Sequence, residues 1–312
     1  MAENGGSSRR AGRTIVILGG GAAFGAHQAG ALEYVTQSGI RPDAIIGSSV
    51  GILNALLFAS GGCEQMRKAW LQLNSLRLLI GPSLVHNPVI GNSLMSMERT
   101  NRWLEKEIDF KAVFESPIEL KFVLLNLSDG RAYLRGNRTE KNPDDFRTVA
   151  HIGYRIPGLY PPIKFQGDYW CDGGLVWNIP LEHAVEMGGR DIYVLSVIPH
   201  DLPHQDSFPT LAHVGYRLME VMWATAGNSS RIRALFPPGG LYHGARVIDV
   251  QPSEYLGANP VSVLWSYPRK ASRLMNMGRR DAERSMREFR ARFGAVGTEQ
   301  PGKGQEGEVN EI

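Results

Sequence analysis

The chain has 312 residues, 43% of them hydrophobic and 21% charged, and a net charge of +3 at pH 7. This length and balance suit one large globular domain, and so slight a charge makes no case for nucleic acid as a partner. The two cysteines, Cys63 and Cys171, lie far apart and form no Cys-x-x-Cys pair, which argues against a metal site and against a disulfide-built secreted fold.

Residues 1–12 are rich in Gly, Ser and Arg, read as disordered, and lack the apolar stretch of a secretory signal. Thr14 to Leu18 is a continuous apolar, β-branched run that suits a strand buried on both faces. The Gly-rich turn Gly19 to Gly25 follows, then an amphipathic helix from Ala26 to about Ser38. A second short strand, Ala44 to Ile46, runs into Gly47-Ser48-Ser49-Val50-Gly51 and a helix that ends near Gly61-Gly62. Strand, Gly-rich turn and helix, twice over, predict parallel strands with right-handed crossovers and functional loops at their carboxyl ends.

Glu64 to Ile80 reads as a further helix. Gly81 to Arg102 is irregular, either a lid over a site or a surface connection. Ile118 to Leu127 and Ala132 to Leu134 read as a hairpin across Asp129-Gly130, and Asp144 to Gly153 as a helix. Ile163 to Phe165 and Asp168 to Trp170 pair around Gln166-Gly167 and deliver the chain into Asp172-Gly173-Gly174. A short helix over Leu181 to Met187, a strand over Asp191 to Ile198 and a helix over Thr210 to Thr225 come next. A last strand over Ala245 to Val250 and an arginine-rich helix over Ser266 to Phe293 complete the pattern. Residues 294–312 read as a disordered tail, and no apolar run reaches the roughly 18 residues of a membrane span. The expected location is cytoplasmic.

Gly-x-Ser-x-Gly between a strand and a helix marks a nucleophile elbow, with Ser49 at its tip. The helix N-terminus behind it adds partial positive charge where an oxyanion would form. The turn at Gly19 to Gly25 reads either as a phosphate cradle or as an oxyanion loop of backbone N–H groups. A dinucleotide fingerprint needs Gly-x-Gly-x-x-Gly and an acidic residue ending the second strand. Ala22 or Phe24 breaks the first, and Gly47-Ser48-Ser49 stands in place of the second. A serine nucleophile needs a base. His183, His200, His204, His213 and His243 follow Asp172 and would fit a Ser-Asp-His order, yet none carries a signature. Asp172 ends a strand-like segment and opens onto two glycines, where it reads as a turn residue or as a carboxylate aimed into a site.

Taken in order, Gly20 to Gly25, Gly47-Ser48-Ser49-Val50-Gly51 and Asp172-Gly173-Gly174 resemble the patatin-like phospholipases. So do Ala26 to Leu32, Ile52 to Leu56, Ile156 to Pro162 and Asp172 to Pro180, and the likeness runs over roughly residues 13–200. It implies a three-layer α/β/α fold with a central, mostly parallel sheet, and one hydrolase domain over 13–293. The implied chemistry is lipid acyl ester hydrolysis, with Ser49 as nucleophile and Asp172 as base, without a histidine. The implied oxyanion loop is Gly20, Gly21 and Ala22, with Gly47, Gly51, Gly173 and Gly174 as motif glycines. No cofactor or metal is implied; the substrate is a lipid or another acyl ester.

The family loop usually reads Gly-Gly-Gly-x-Arg/Lys-Gly, whereas this chain has Ala22 at the third position and Phe24 in place of the cation. The head group therefore stays open. The alternative function is a non-catalytic acyl-lipid-binding or scaffold protein that keeps the fold. Peripheral membrane contact through the arginine-rich helix also stays open, because Asp281, Glu283 and Glu288 dilute its charge.

Overall fold

The computed structural model describes residues 12–73, 93, 96–226, 239–257 and 266–294. Among them is a nine-stranded sheet centred on β1 (Arg13–Leu18). β1 pairs in parallel with β2 (Ala44–Gly47) on one side and β7 (Gly189–Leu195) on the other. Ile15 to Leu18 are all fully buried, which the unbroken apolar run requires. β2 continues in parallel to β3 (Glu119–Asn126), and β7 to β9 (Ala245–Val250). The antiparallel members lie outside this parallel centre. β4 (Arg131–Arg135) and β6 (Asp168–Asp172) pair with β3, β5 (Ile163–Phe165) with β6, and β8 (Gly239–Tyr242) with β9.

Helices cover both faces, as the three-layer expectation requires. One face carries α1 (Gly25–Gln37), α2 (Val50–Gln72), α5 (Pro143–Ile152) and α8 (Pro268–Phe293), whose buried side chains merge into the main core. The other packs Ile15, Ile17, Ile46, Ile192 and Val194 against the smaller α6 (Leu181–Glu186). α3 (Glu98–Glu107), α4 (Phe110–Phe114) and α7 (Leu211–Thr225) are the other helices among the described residues. α1 and α8 cross closely because each presents a glycine at the contact. A Cβ on Gly30 would lie 1.9 Å from the Met275 carbonyl oxygen, and one on Gly278 would lie 1.8 Å from that of His27.

Several expectations need correction. The start of the helix expected from Glu64 to Ile80 is the second limb of α2, continuous with the elbow helix across a kink at Gly61 and Gly62, while residues 74–80 lie outside the described set. The irregular stretch from Gly81 falls on residues outside the described set up to 92, and α3 occupies its end. α3, α4 and β8 were not singled out from the sequence. Asp281 on α8 is not a surface residue, although its Oδ1 does pair with the half-exposed Arg284 guanidinium at 3.0 Å. It is buried, with its carboxylate 2.9 Å from His27 Nε2 and 3.0 Å from the Ser253 N–H that donates to it. Cys63 and Cys171 are both free thiols. No described helix is long and apolar enough to cross a membrane.

Candidate active site

The pairing of β3 explains how residues more than a hundred positions apart come together. Phe122 to Asn126 pair with β4 along one edge of β3. On the opposite edge, Glu119 to Phe122 pair with β2, and Leu124 to Asn126 pair with β6. β2 and β6 therefore approach each other end to end along one edge. Gly47 stands opposite Phe122 and Asp172 opposite Leu124, two register positions apart, about 7 Å at the rise of a strand.

At the end of β2 the chain makes a strained turn. Ser49 has φ 53° and ψ −122°, a conformation that a residue with a Cβ rarely adopts and that a surrounding structure must enforce. Gly47 and Gly51 make the turn feasible. A Cβ on Gly47 would press within 2.9 Å of the α2 backbone, and one on Gly51 would lie 2.0 Å from the Leu18 carbonyl oxygen. The Asp172 carboxylate lies beside Ser49: a Cβ on Gly174 would come 3.1 Å from Asp172 Oδ1 and 3.7 Å from the Ser49 Cβ. The Gly174 N–H donates to Asp172 Oδ1 at 2.8 Å. Both Ser49 and Asp172 are 2% exposed. Burial pushes the Asp172 carboxyl up to about 7, against the downward pull of the neighbouring Ser49 side chain and of the Gly174 N–H.

The Gly-rich turn lies beside Ser49: a Cβ on Gly20 would come within 3.0 Å of the Ser49 Cβ. Gly20 itself donates its N–H to Asn178 Oδ1 at 2.6 Å. Gly21 and Ala22 open the 3₁₀ turn Ala22–Phe24 that leads into α1, where the first N–H groups of a helix have no acceptor within it. Ala22 holds φ 48°, so the alanine is accommodated in a left-handed conformation that the family glycine would adopt without strain.

A buried chain of amides supports this turn from behind. Gln28 Nε2 donates to the Gly19 carbonyl at 3.0 Å and to that of Leu195 at 2.8 Å. Asn54 Nδ2 donates to the Gly25 carbonyl at 2.9 Å and to Gln28 Oε1 at 2.8 Å. Trp70 Nε1 in turn donates to Asn54 Oδ1 at 2.7 Å. Asn178, Gln28 and Asn54 were not singled out from the sequence. Gln28 and Asn54 did carry a signal, since each interrupts an otherwise apolar helix face and a buried amide must find partners.

Ser49 opens onto a cavity of about 130 Å³. Its lining is largely apolar and includes Val50, Leu53, Trp70, Trp103, Leu104 and Ile156, with Ala22 and Ala23 at the loop end. Among the described residues no histidine lines it. His200 is buried against Asp249, His204 lies on the surface with Asp206, and His213 bonds Thr210. His183 stacks on Trp177, and His243 lies in the turn between β8 and β9. Phe24 does not line the cavity. It is buried in the main core, with the Lys270 ammonium from α8 5.0 Å from its ring centroid. Burial lowers that lysine to about 8.

A family model for patatin-like phospholipases matches residues 15–185. The lysophospholipase nte1 of Aspergillus terreus is 25% identical over 205 residues, which cover 61% of this chain and 12% of that protein. The human patatin-like phospholipase domain-containing protein 6 is 24% identical over 198 residues, covering 61% and 14%. The chain thus spans about an eighth of the length of these curated relatives. The crystal structure of VipD from Legionella pneumophila aligns with a TM-score of 0.50 at 13% identity, over 89% of this chain and 67% of that one, a likeness of fold.

Proposed function

The chain belongs to the patatin-like phospholipase family, and on that premise we propose that it hydrolyses acyl esters of lipids through an acyl-enzyme on Ser49. The observation that carries this reading is the placement of Ser49, held in its strained elbow, beside a buried carboxylate at the wall of an apolar cavity. A base works best when its pKa lies near the operating pH, and Asp172 at about 7 meets that condition.

In the proposed reaction Ser49 Oγ bonds to the ester carbonyl carbon and its proton passes to Asp172. The tetrahedral oxyanion is received by the N–H groups of Gly21 and Ala22, aided by the N-terminal ends of α1 and α2. Gly20 acts through shape, since its own N–H donates to Asn178. Collapse of the intermediate breaks the bond to the alcohol oxygen, which leaves with the proton from Asp172. Water then attacks the acyl-enzyme, Asp172 takes its proton, and Ser49 recovers that proton as the fatty acid departs. The acyl chain occupies the apolar cavity. The domain proposed to carry this activity is 13–293.

A fluorophosphonate probe tests the assignment. Wild type should be labelled and Ser49→Ala should not, with turnover of graded p-nitrophenyl esters lost in parallel. Labelling that persists in Ser49→Ala, or ester turnover that survives it, would place the nucleophile elsewhere.

A further inference from the structure

The outer side of α7 is unlike an ordinary surface helix. Its inner side carries Tyr216, Glu220 and Trp223, all buried. The Tyr216 hydroxyl, on the same helix, donates to the Glu220 carboxylate at 2.8 Å, and the Tyr255 hydroxyl, from outside it, donates at 2.7 Å and ties the helix to the body of the protein. The outer side carries Leu211, Val214, Leu218, Val221 and Met222, and Leu211 and Leu218 are 86% and 59% exposed. These positions recur every three or four residues and form one continuous stripe. The other exposed positions on the helix are Ala212, Gly215 and Thr225, so its exposed positions hold no charge at all. A solvated helix face normally holds charged or polar residues there.

Three observations identify what such a face would meet. The exposed area of the five side chains is on the order of 500 Å², the size of a functional apolar patch but short of the roughly 800 Å² per partner of a specific protein interface. The absence of charge excludes an acidic or basic partner as the source of affinity. The helix also adjoins the site. Met219 packs against Met97, Ile156 and Tyr160, which line the cavity beside Ser49. The Trp223 carbonyl lies 3.5 Å from Nδ2 of Asn178, the residue whose other atom holds Gly20. The stripe and the cavity are thus separated by about one helix diameter, ~10 Å.

We propose that the outer face of α7 seats the protein on an electrically neutral lipid surface, with its apolar stripe entering the boundary between head groups and acyl chains. This rests on the hydrolase reading for the choice of lipid as the apolar partner. The arginines of α8 have no part in it, so seating is insensitive to salt.

Flotation with unilamellar phosphatidylcholine vesicles tests it, using Ser49→Ala protein so that the vesicles stay intact. The expected result is binding that persists at high salt and weakens at least tenfold when Leu211→Asp and Leu218→Asp are added. In the catalytically intact chain the same pair should reduce hydrolysis of vesicle lipid but leave p-nitrophenyl butyrate turnover unchanged. Both positions face solvent, and an unaltered urea midpoint checks the fold. Leu211→Ser with Leu218→Ser repeats the test should the aspartates disturb it. No binding to neutral vesicles, binding only to anionic vesicles, or equal binding by the variants would overturn the proposal. So would a dimer in sedimentation equilibrium that the variants dissociate, because the face would then belong to a second copy. Short-ester turnover without vesicle binding would defeat this inference alone. Vesicle binding without turnover of any ester would defeat the hydrolase reading and leave the surface standing.

Discussion

Replacing Asp172 with asparagine separates what the carboxylate does for chemistry from what it costs the fold. The buried carboxyl titrates at about 7, whereas an unfolded aspartate titrates near ~3.9. Between these values the folded chain holds one more proton than the unfolded chain. Stability therefore falls as pH rises through that window and levels off above it, with a total loss of roughly 4 kcal/mol. An asparagine has the same shape, offers the Gly174 N–H an oxygen and cannot ionise. Asp172→Asn is thus expected to be about 2–4 kcal/mol more stable than wild type at pH 8, with the two converging as pH falls to about 4. It should also lose about 10²–10⁴ in kcat/KM toward p-nitrophenyl butyrate, the usual contribution of a positioned base. Wild-type kcat/KM should rise with pH on a limb centred near 7, because only the ionised carboxylate accepts the serine proton. Urea unfolding at both pH values and a pH–rate profile measure these quantities. A variant no more stable than wild type at pH 8, or a rate limb centred near 4, would refute the reasoning.

Asn178→Ala removes the acceptor for the buried Gly20 N–H, bonded at 2.6 Å. A lost partner for a buried donor costs about 1–3 kcal/mol, so kcat should fall roughly 10- to 100-fold with KM little changed; an unaltered kcat would show that the loop holds its shape without it. Phe24→Arg restores the cation usual in the family loop, but Phe24 is only 1% exposed, and an unpaired buried charge costs about 3–5 kcal/mol. The expected outcome is a lower urea midpoint with no gain on phospholipid over simple esters, and an unchanged midpoint would show that the side chain can reach solvent.

The fold was readable because its signals are local. Ile15 to Leu18 and Ile192 to Leu195 announce buried strands by composition, and the glycines after β1 and β2 mark where those strands turn into helices. Ser49 was readable for the same reason. The location of Asp172 beside it came only through the family resemblance, since it depends on β6 pairing the same edge of β3 that β2 occupies, a contact between distant segments. Asn178 stayed hidden among the residues after Asp172-Gly173-Gly174 because its role exists only through Gly20, 158 positions earlier. Asp281 does offset one arginine, Arg284, but its burial was not readable because the arginines around it disguise a helix face that turns inward toward His27.

The end-to-end meeting of β2 and β6 also bears on why an aspartate could serve without a histidine. An imidazole has an unperturbed pKa near ~6.5 and needs little adjustment to act at neutral pH. A carboxylate must be raised by about three pH units to do the same work, and burial is the available means. The short span between Gly47 and Asp172 sets the carboxylate beside Ser49, and the same packing removes both groups from water. Base strength and the apolar character of the cavity are then one property. In the proposed mechanism, an acyl chain that fills the cavity strengthens the base that acts on its ester, whereas water admitted beside Asp172 weakens it.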